Sequence, residues 1–208
     1  SLQSLSRDDL WAAYSSLLGT FIETVEALTK ALDMRDILSS GHSLRVSQAC
    51  CTMGAHMGFS EKEIQELRLA AILHDVGKIG ISDAILGKPG RLTEQEFFLI
   101  KKHPEIGEQI VSGVEYLRNV APVIRHHHEF FNGKGYPDEI GGDDIELNAR
   151  IISVADAFDF MRTDLSFRAP ISVHDTMETL QDRAGAQFDP AVVDALTEVM
   201  QEQSNVVH

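Results

Sequence analysis

The chain has 208 residues, of which 43% are hydrophobic and 24% are charged, as in a globular domain with a proper core. Its formal net charge of −14 excludes extended binding to DNA or RNA, because so acidic a surface repels phosphate backbones. No apolar run has the length of a membrane span, and the N-terminus lacks a signal-peptide pattern. Two adjacent cysteines, Cys50 and Cys51, indicate buried small residues in a reducing, cytoplasmic compartment.

The first predicted element is a long amphipathic helix from about residue 6 to 32, with Ser6 as its N-cap. It either packs on its own domain or is a signalling or dimerising helix that leads in from an upstream domain. Capping boxes at Ser60 and Thr93 begin two later helices, and Asp189 with Pro190 begins the last one. The remaining helices are predicted at 42–57, 61–74, 93–102, 104–112, 116–129, 148–163, 172–183 and 189–202.

The most informative stretch is residues 71–81, Ala-Ile-Leu-His-Asp-Val-Gly-Lys-Ile-Gly-Ile. His74 and Asp75 are adjacent, and Lys78 follows one helical turn after His74, so the three side chains can reach one point. Apolar residues flank them on both sides, which places this polar trio within a core. Buried charge needs a compensating partner, and a metal ion is one that suits imidazole and carboxylate groups.

Other parts of the chain supply the same ligand types. A histidine or aspartate on its own is more often a surface, capping or hydrogen-bonded core residue than a ligand. Taken together, the candidates number five histidines and two aspartates, a set that suits iron or manganese at least as well as zinc. Seven ligands are too many for one ion but fit two, especially if Asp75 bridges them. The seven are His42, His74, Asp75, His103, His127, His128 and Asp156.

Three further polar residues lie outside this set. Asp159 lies on the same helical face as Asp156 and is predicted to support a ligand or a water. His126 and His174 have no assigned role, and we expect ordinary surface positions for both.

Several segments in this order and spacing resemble the HD-GYP family, a branch of the HD metal-dependent phosphohydrolases. The resemblance extends from about residue 33 to 193. The matching segments are His74-Asp75-Val76-Gly77-Lys78, residues 88–93, Lys102-His103-Pro104, His127-His128-Glu129, Gly133-Lys134-Gly135-Tyr136-Pro137, Ala155-Asp156 and Gln187-Phe188-Asp189-Pro190.

The resemblance implies an all-α, HD-domain-like helical bundle with additional C-terminal helices and a long N-terminal helix. Residues 1–32 would form the linker or signalling helix, and residues 33–208 the phosphodiesterase domain. The implied reaction is hydrolysis of cyclic di-GMP to pGpG, and in some members to GMP, in bacterial second-messenger signalling. The implied cofactors are divalent metal ions, with iron or manganese first and nickel or zinc as alternatives.

Residue roles follow from the matching motifs. The seven residues above would hold the metals, with Asp75 and Lys78 taking part in catalysis. Lys134 and Tyr136 would border the substrate in the GYP loop, which is also the expected contact for diguanylate cyclases of the GGDEF type. Glu129, like Asp159, would orient the metal ligands without binding a metal itself.

The sequence departs from the family pattern near the metal site. A glutamate that binds a third metal in some members is replaced by Leu38, so we predict two metals. Phe130 and Asn132 replace the arginine and aspartate that usually follow the His-His-Glu segment.

The arginine expected to hold a substrate phosphate is also missing. Leu165 occupies its position, and Arg162 or Arg168 is the candidate replacement. These departures leave two alternatives beside a cyclic di-GMP phosphodiesterase. One is a weak or inactive module that binds a nucleotide or partner, and the other is a hydrolase for another phosphoester, such as a hybrid cyclic dinucleotide.

Overall fold

A computed structural model describes residues 6–35, 41–88, 90–164 and 169–206, with side chains described as far as residue 203. Regular structure in these ranges is helical and contains no strand, which confirms the predicted all-α fold. The α-helices are α1 Arg7–Asp33, α2 His42–His56, α3 Glu61–Leu73, α4 Asp83–Leu86, α5 Glu94–Ile100, α6 His103–Ser112, α7 Ala121–His126, α8 Leu147–Arg162, α9 Val173–Asp182 and α10 Pro190–Val206. Short 3-10 helices lie at Val76–Gly80, Glu115–Leu117 and Gly142–Asp144.

Helix α1 begins at a capping box. Ser6 Oγ accepts a hydrogen bond from the Asp9 N–H (3.1 Å), and the Ser6 N–H donates to the Asp9 carboxylate (3.0 Å). The N-terminal half of α1 is exposed, with Trp11 70% and Leu17 71% accessible, and its first buried residue is Val25. Only the C-terminal half of α1 therefore contributes to the core, and its role in signalling or dimerisation stays a prediction.

Helices α2 and α3 form a closely packed antiparallel pair. A Cβ atom at Gly54 of α2 would lie 2.9 Å from the Ile64 side chain of α3, so the glycine permits the close approach. Met53, Leu67 and Ile72 are fully buried at this contact and in the adjoining core, against which α8 also packs. This pairing brings the beginning of α2 close to the end of α3, where two candidate ligands lie.

The single helix predicted over 116–129 is wrong in its extent. The chain instead forms the 3-10 helix Glu115–Leu117 and then α7, which ends at His126. His127 is the C-cap of α7, and His128 lies beyond the helix. The two histidines are therefore not separated by the fixed 100° rotation of a continuous helix, and both can face one site.

The loop after α7 folds back onto the His-His-Glu segment. The Tyr136 N–H donates to the His128 carbonyl at 3.2 Å. A Cβ atom at Gly135 would lie 2.2 Å from the backbone nitrogen of Phe130, so only glycine allows this approach. The Tyr136–Pro137 peptide bond is cis. The fold thus brings Tyr136 beside the histidines.

The C-terminal helices close the domain. Arg150 of α8 donates to the Asp189 carboxylate at 2.7 Å, and this contact fixes the start of α10. Val192 and Leu196 of α10 are buried in the shared core. Among the helices of the described ranges, none combines the length and the apolar character that a membrane crossing requires.

Candidate metal centre

The His74–Asp75 pair occupies the sharp transition from α3 to the 3-10 helix Val76–Gly80. Here the backbone runs directly against the start of α6. A Cβ atom at Gly77 would lie 1.9 Å from the carbonyl oxygen of His103, which no side chain could tolerate. Gly77 therefore allows the segment with His74 and Asp75 to meet His103, the first residue of α6.

The first group of donor atoms comprises His42, His74 and Asp75, whose ligand atoms lie within 4.8 Å of one another. His42 is the first residue of α2, and its Nε2 lies 3.2 Å from Oδ1 of Asp156 in α8. Three helices thus meet at this group. The three side chains of the group are all buried.

The second group comprises His103, His127 and His128, whose ligand atoms also lie within 4.8 Å of one another. The Nε2 atoms of His103 and His127 are 3.2 Å apart. The ring centroids of His127 and His128 are separated by 4.1 Å. Two neighbouring residues at the end of α7 therefore face the same histidine of α6.

Asp75 connects the two groups. Its Oδ2 lies 3.4 Å from His74 Nε2, and its Oδ1 lies 3.2 Å from His103 Nε2. Lys78 Nζ approaches Oδ2 at 2.8 Å. One carboxylate thus presents an oxygen to each group, which is the arrangement expected of a bridging ligand.

The hydrogen bonds at Nδ1 determine what the ring nitrogens can do. The Nδ1 atoms of His74, His103 and His127 lie 2.7 Å, 2.8 Å and 2.7 Å from the carbonyl oxygens of the residues three positions earlier. A carbonyl only accepts, so each Nδ1 carries the proton. In the neutral rings Nε2 is then an unprotonated lone pair.

The short contact between His103 Nε2 and His127 Nε2 is therefore not a favourable hydrogen bond in the neutral state. Burial, the main cause, lowers the pKa of His103 and of His127, so both rings are neutral. Two lone pairs and a carboxylate oxygen then converge, which a cation would stabilise. Buried His74 Nε2 likewise has no hydrogen-bond partner. The donor set thus fits divalent metal ions.

The protonation states of His128 and Asp156 agree with this chemistry. Burial lowers the pKa of His128 to about 3, so this imidazole is neutral at physiological pH. Burial opposes ionisation of Asp156, but the hydrogen bond from His42 prevails and lowers its pKa to about 2. Neutral imidazoles and ionised carboxylates are the forms that bind metals. For His42, burial opposes the charge, but the hydrogen bonds to Asp156 and Asp159 prevail and raise its pKa to about 10, so a metal at its Nε2 would have to displace a proton.

Asp159 supports His42 from the side opposite to Asp156. Its Oδ2 lies 2.8 Å from His42 Nδ1. Arg45 holds the same carboxylate with two hydrogen bonds, from Nε at 2.7 Å and from Nη2 at 2.9 Å. A carboxylate behind a histidine fixes the ring orientation and its tautomer.

Glu129 has a different set of partners. Its Oε1 accepts hydrogen bonds from the backbone N–H groups of Asp138 (2.6 Å) and Glu139 (3.1 Å). Glu129 thus holds the loop that carries Tyr136. Its predicted support of a metal ligand has no counterpart in these contacts and stays a prediction.

A cavity of about 590 Å³ opens beside the two groups of donor atoms. Asp75, His103, His128 and Lys78 are among the residues that line it. Much of the remaining wall is aromatic and consists of Phe97, Phe130, Tyr136, Phe160 and Phe188. A planar, apolar group can therefore lie next to the donor atoms.

Of the residues predicted to contact the substrate, only some lie at the cavity. Tyr136 lines the cavity, and its ring centroid lies 4.9 Å from that of His128. Lys134 and Arg162 are exposed and are not among the lining residues, and Arg162 donates instead to the Ile171 carbonyl at 3.1 Å. Arg168, like Leu165 and Leu38, lies outside the described residues. The substrate roles of these side chains stay predictions.

Some positions were missed or misjudged from sequence. Arg183 and Gln187 line the cavity but received no role from the sequence, although Gln187 begins the Gln-Phe-Asp-Pro segment. Arg45 had a signal in its spacing of three residues from His42. His174 is exposed as expected, but the expected surface position of His126 is wrong. Its side chain is 14% accessible and lies between Glu146 and Asp138 carboxylates.

An all-helical fold with histidine and aspartate donors around one cavity defines the class of HD-type metal-dependent phosphohydrolases. The sequence model described as HD domain matches residues 26–192, and the chain belongs to this family.

Curated relatives of this chain are phosphodiesterases for cyclic dinucleotides. It is 38% identical to the cyclic di-GMP phosphodiesterase response regulator RpfG of Xanthomonas campestris, over 84% of this chain and 47% of the relative. It is 36% identical to 3'3'-cGAMP-specific phosphodiesterase 2 of Vibrio cholerae, over 85% of this chain and 34% of the relative. A cyclic di-GMP phosphodiesterase of Thermotoga maritima is 33% identical, over 96% and 54% of the two chains. The chain thus spans about half or less of these relatives.

Solved structures share the fold. A cyclic GMP-AMP specific phosphodiesterase of Vibrio cholerae superposes with a TM-score of 0.68 at 20% identity, over 86% of this chain and 48% of that chain. An HDG"Y"P protein of Bdellovibrio bacteriovorus superposes with a TM-score of 0.63 at 25% identity, over 80% and 53% of the two chains.

Proposed function

We propose that this chain is a metal-dependent phosphodiesterase that hydrolyses cyclic di-GMP. The observation that carries the proposal is the sharing of Asp75 between two groups of donor atoms at the edge of one cavity. Two metal ions that share a carboxylate ligand are suited to in-line displacement at phosphorus. The names of the curated relatives support the same reaction class.

Each group of donor atoms would hold one ion. The first ion would be bound by His42, His74 and Asp156, and the second by the second group of histidines, with Asp75 between them. Iron or manganese is the proposed metal, because imidazole and carboxylate ligands without cysteine suit either. Bound divalent ions at such a centre lower the pKa of a water molecule and neutralise phosphate oxygens.

The protein's own groups have distinct tasks in this proposal. Lys78, with Nζ 2.8 Å from Asp75, adds a positive charge at the edge of the cavity where a phosphate oxygen would lie. Tyr136 closes the side of the cavity next to His128. The Arg45–Asp159 pair keeps His42 in a fixed orientation.

The proposed substrate class is a cyclic dinucleotide with two purine bases. The aromatic side chains of the cavity offer faces on which bases stack. The proposed product is pGpG, with further cleavage to GMP as a second step. A second candidate substrate is 3'3'-cGAMP, because relatives specific for it are 36% and 34% identical to this chain.

The decisive test replaces both His74 and Asp75 with alanine. Wild-type protein with Mn²⁺ or reduced iron is expected to linearise cyclic di-GMP, as followed by chromatography. The double variant is expected to lose metal and turnover while circular dichroism shows retained helix content. His174→Ala with Asp175→Ala is the matched control, because this histidine–aspartate pair is exposed on α9.

Each outcome has a defined meaning. Undiminished hydrolysis by the His74/Asp75 variant would refute the assignment of the centre. Binding of cyclic di-GMP without turnover by the wild type would instead identify a regulatory module. Turnover of 3'3'-cGAMP in preference to cyclic di-GMP would select the second substrate.

We further propose a reducing, cytoplasmic setting and two interaction surfaces. Free Cys50 and Cys51 support the reducing compartment. The exposed apolar side chains Trp11 and Leu17 of α1 support a homodimer through this helix, which sedimentation velocity would detect. The loop that carries exposed Lys134 is the proposed contact for GGDEF-type partners.

A further inference from the structure

Arg183 and Gln187 form a hydrogen-bonded pair in the cavity wall. Arg183 Nη1 donates to Gln187 Oε1 at 3.0 Å. A guanidinium only donates, so this contact fixes the amide orientation of Gln187 with its oxygen toward the arginine. The Gln187 amide NH₂ and the other guanidinium N–H groups are therefore all donors. The pair presents donors to the cavity that it lines.

A tight turn fixes the spacing of this pair. The Gln187 N–H donates to the Arg183 carbonyl at 2.9 Å, and the Gly185 N–H donates to the Phe188 carbonyl at 2.8 Å. Gly185 has φ +78, a conformation that favours glycine. The two side chains thus lie next to each other on a short, internally bonded turn.

The same turn is bonded to the segment that follows the metal ligands. The Phe131 N–H donates to the Gln187 carbonyl at 3.1 Å, and the Asn132 N–H donates to the Ala186 carbonyl at 2.9 Å. Phe130, the residue before this contact, lines the same cavity. An aromatic ring and a pair of donors are thereby held on adjoining backbone segments.

This combination suits one nucleobase in particular. Guanine presents two acceptors, O6 and N7, which an arginine binds with both arms of its guanidinium. Adenine presents a donor, its N6 amino group, at the position of O6. Adenine would therefore place this donor against the donors of Arg183 and Gln187, where no hydrogen bond can form. We propose that Arg183 and Gln187 recognise the O6 and N7 edge of a guanine base that stacks on Phe130. This inference rests on the proposed function and specifies its substrate.

A base is a better match than a phosphate for this part of the wall. Phe130, Phe188 and Ile171 line the cavity together with the pair, and these side chains offer apolar faces. Lys78, in contrast, lies with Asp75 at the donor groups, where the scissile phosphate is proposed to bind. Phosphate binding and base binding are thus assigned to different residues of the cavity wall.

The test measures binding of the linear dinucleotides pGpG and pApA to manganese-loaded protein by calorimetry, with a methylphosphonate linkage in each that resists hydrolysis. Arg183→Ala is expected to weaken pGpG binding by about tenfold or more and to change pApA binding by less than about twofold. Arg183→Lys keeps the charge but not the forked geometry, and is expected to lose most of the preference for guanine. Arg118→Ala is the matched control, because it removes an exposed arginine that does not line the cavity.

Three results would overturn the inference. These are equal binding of the two dinucleotides by the wild type, an equal loss for both in Arg183→Ala, and unchanged pGpG binding in that variant. Hydrolysis of bis(p-nitrophenyl) phosphate reports on the metal centre separately. Its absence in the wild type would count against the proposed function, while the binding comparison would still decide guanine recognition.

Discussion

The Nδ1 atom of His42 lies 2.8 Å from Oδ2 of Asp159, while its Nε2 lies 3.2 Å from Asp156. One imidazole thus has a supporting carboxylate on one side and a candidate metal ligand on the other. Arg45 binds the supporting carboxylate with two hydrogen bonds and so fixes its position. The orientation of His42 is therefore determined before any metal binds.

Asp159→Ala is expected to weaken metal binding by about 10- to 100-fold, because His42 loses the group that orients its ring. Metal titration followed by elemental analysis measures the effect. The exposed Asp164, five residues later, provides the control variant Asp164→Ala, for which metal affinity should stay unchanged. Equal affinities for the two variants would show that Asp159 has no role in positioning His42.

Gly77→Ala is expected to destabilise the protein by at least about 3 kcal/mol, or to prevent folding, because the new Cβ would overlap the His103 backbone. Urea unfolding at a fixed manganese concentration measures the change in the free energy of unfolding. Gly19→Ala in α1 is the control, since nothing lies within 4 Å of its Cβ position. This control should stabilise the protein by about 0.5–1 kcal/mol. Similar effects of the two substitutions would contradict the proposed close approach.

The stability contribution of Asp138 is expected to depend on pH. The Arg125 guanidinium, which donates to its carboxylate at 2.7 Å, lowers the pKa of Asp138 to about 2. A folded-state pKa below the unfolded value of about 3.9 stabilises the fold above that value. This stabilisation should be complete above about pH 5 and should be lost as the pH falls from about 4 towards 2.

The measurement compares urea unfolding of the wild type and Asp138→Asn between pH 6 and 3. We expect a difference of about 1 kcal/mol at neutral pH, because the pair is partly exposed and solvent weakens it. The difference should shrink on acidification. Asp144→Asn, which changes an exposed carboxylate of the same region, should show no such trend. A difference that grows towards pH 3 would contradict the assigned partner.

Local features of this chain were predictable from its sequence. The capping boxes at Ser60 and Thr93 are confirmed, and α10 begins at Pro190 as predicted. Each of these depends on hydrogen bonds or sterics among residues at most four positions apart, so the nearby residues suffice. The HD domain family was also predictable, because its motifs combine rare residue types in a fixed order.

The end of α7 is a case in which local pattern was insufficient. Apolar spacing continues past His126, yet the helix stops there. The His128 carbonyl instead accepts a hydrogen bond from Tyr136, eight residues later, and Gly135 packs on the Phe130 backbone. The folded-back loop competes with the helix for this segment, and only tertiary structure decides between them.

By itself, the sequence determined the helical fold, the family and the chemical types of the candidate metal ligands, since periodicity and motif order are properties of the chain. Tertiary structure alone decided that Asp75 faces both groups of donor atoms, that Lys134 lies outside the cavity lining and that Arg183 joins it. Such relationships join side chains tens of residues apart. They depend on the angles and distances at which helices pack, and short-range spacing does not encode these.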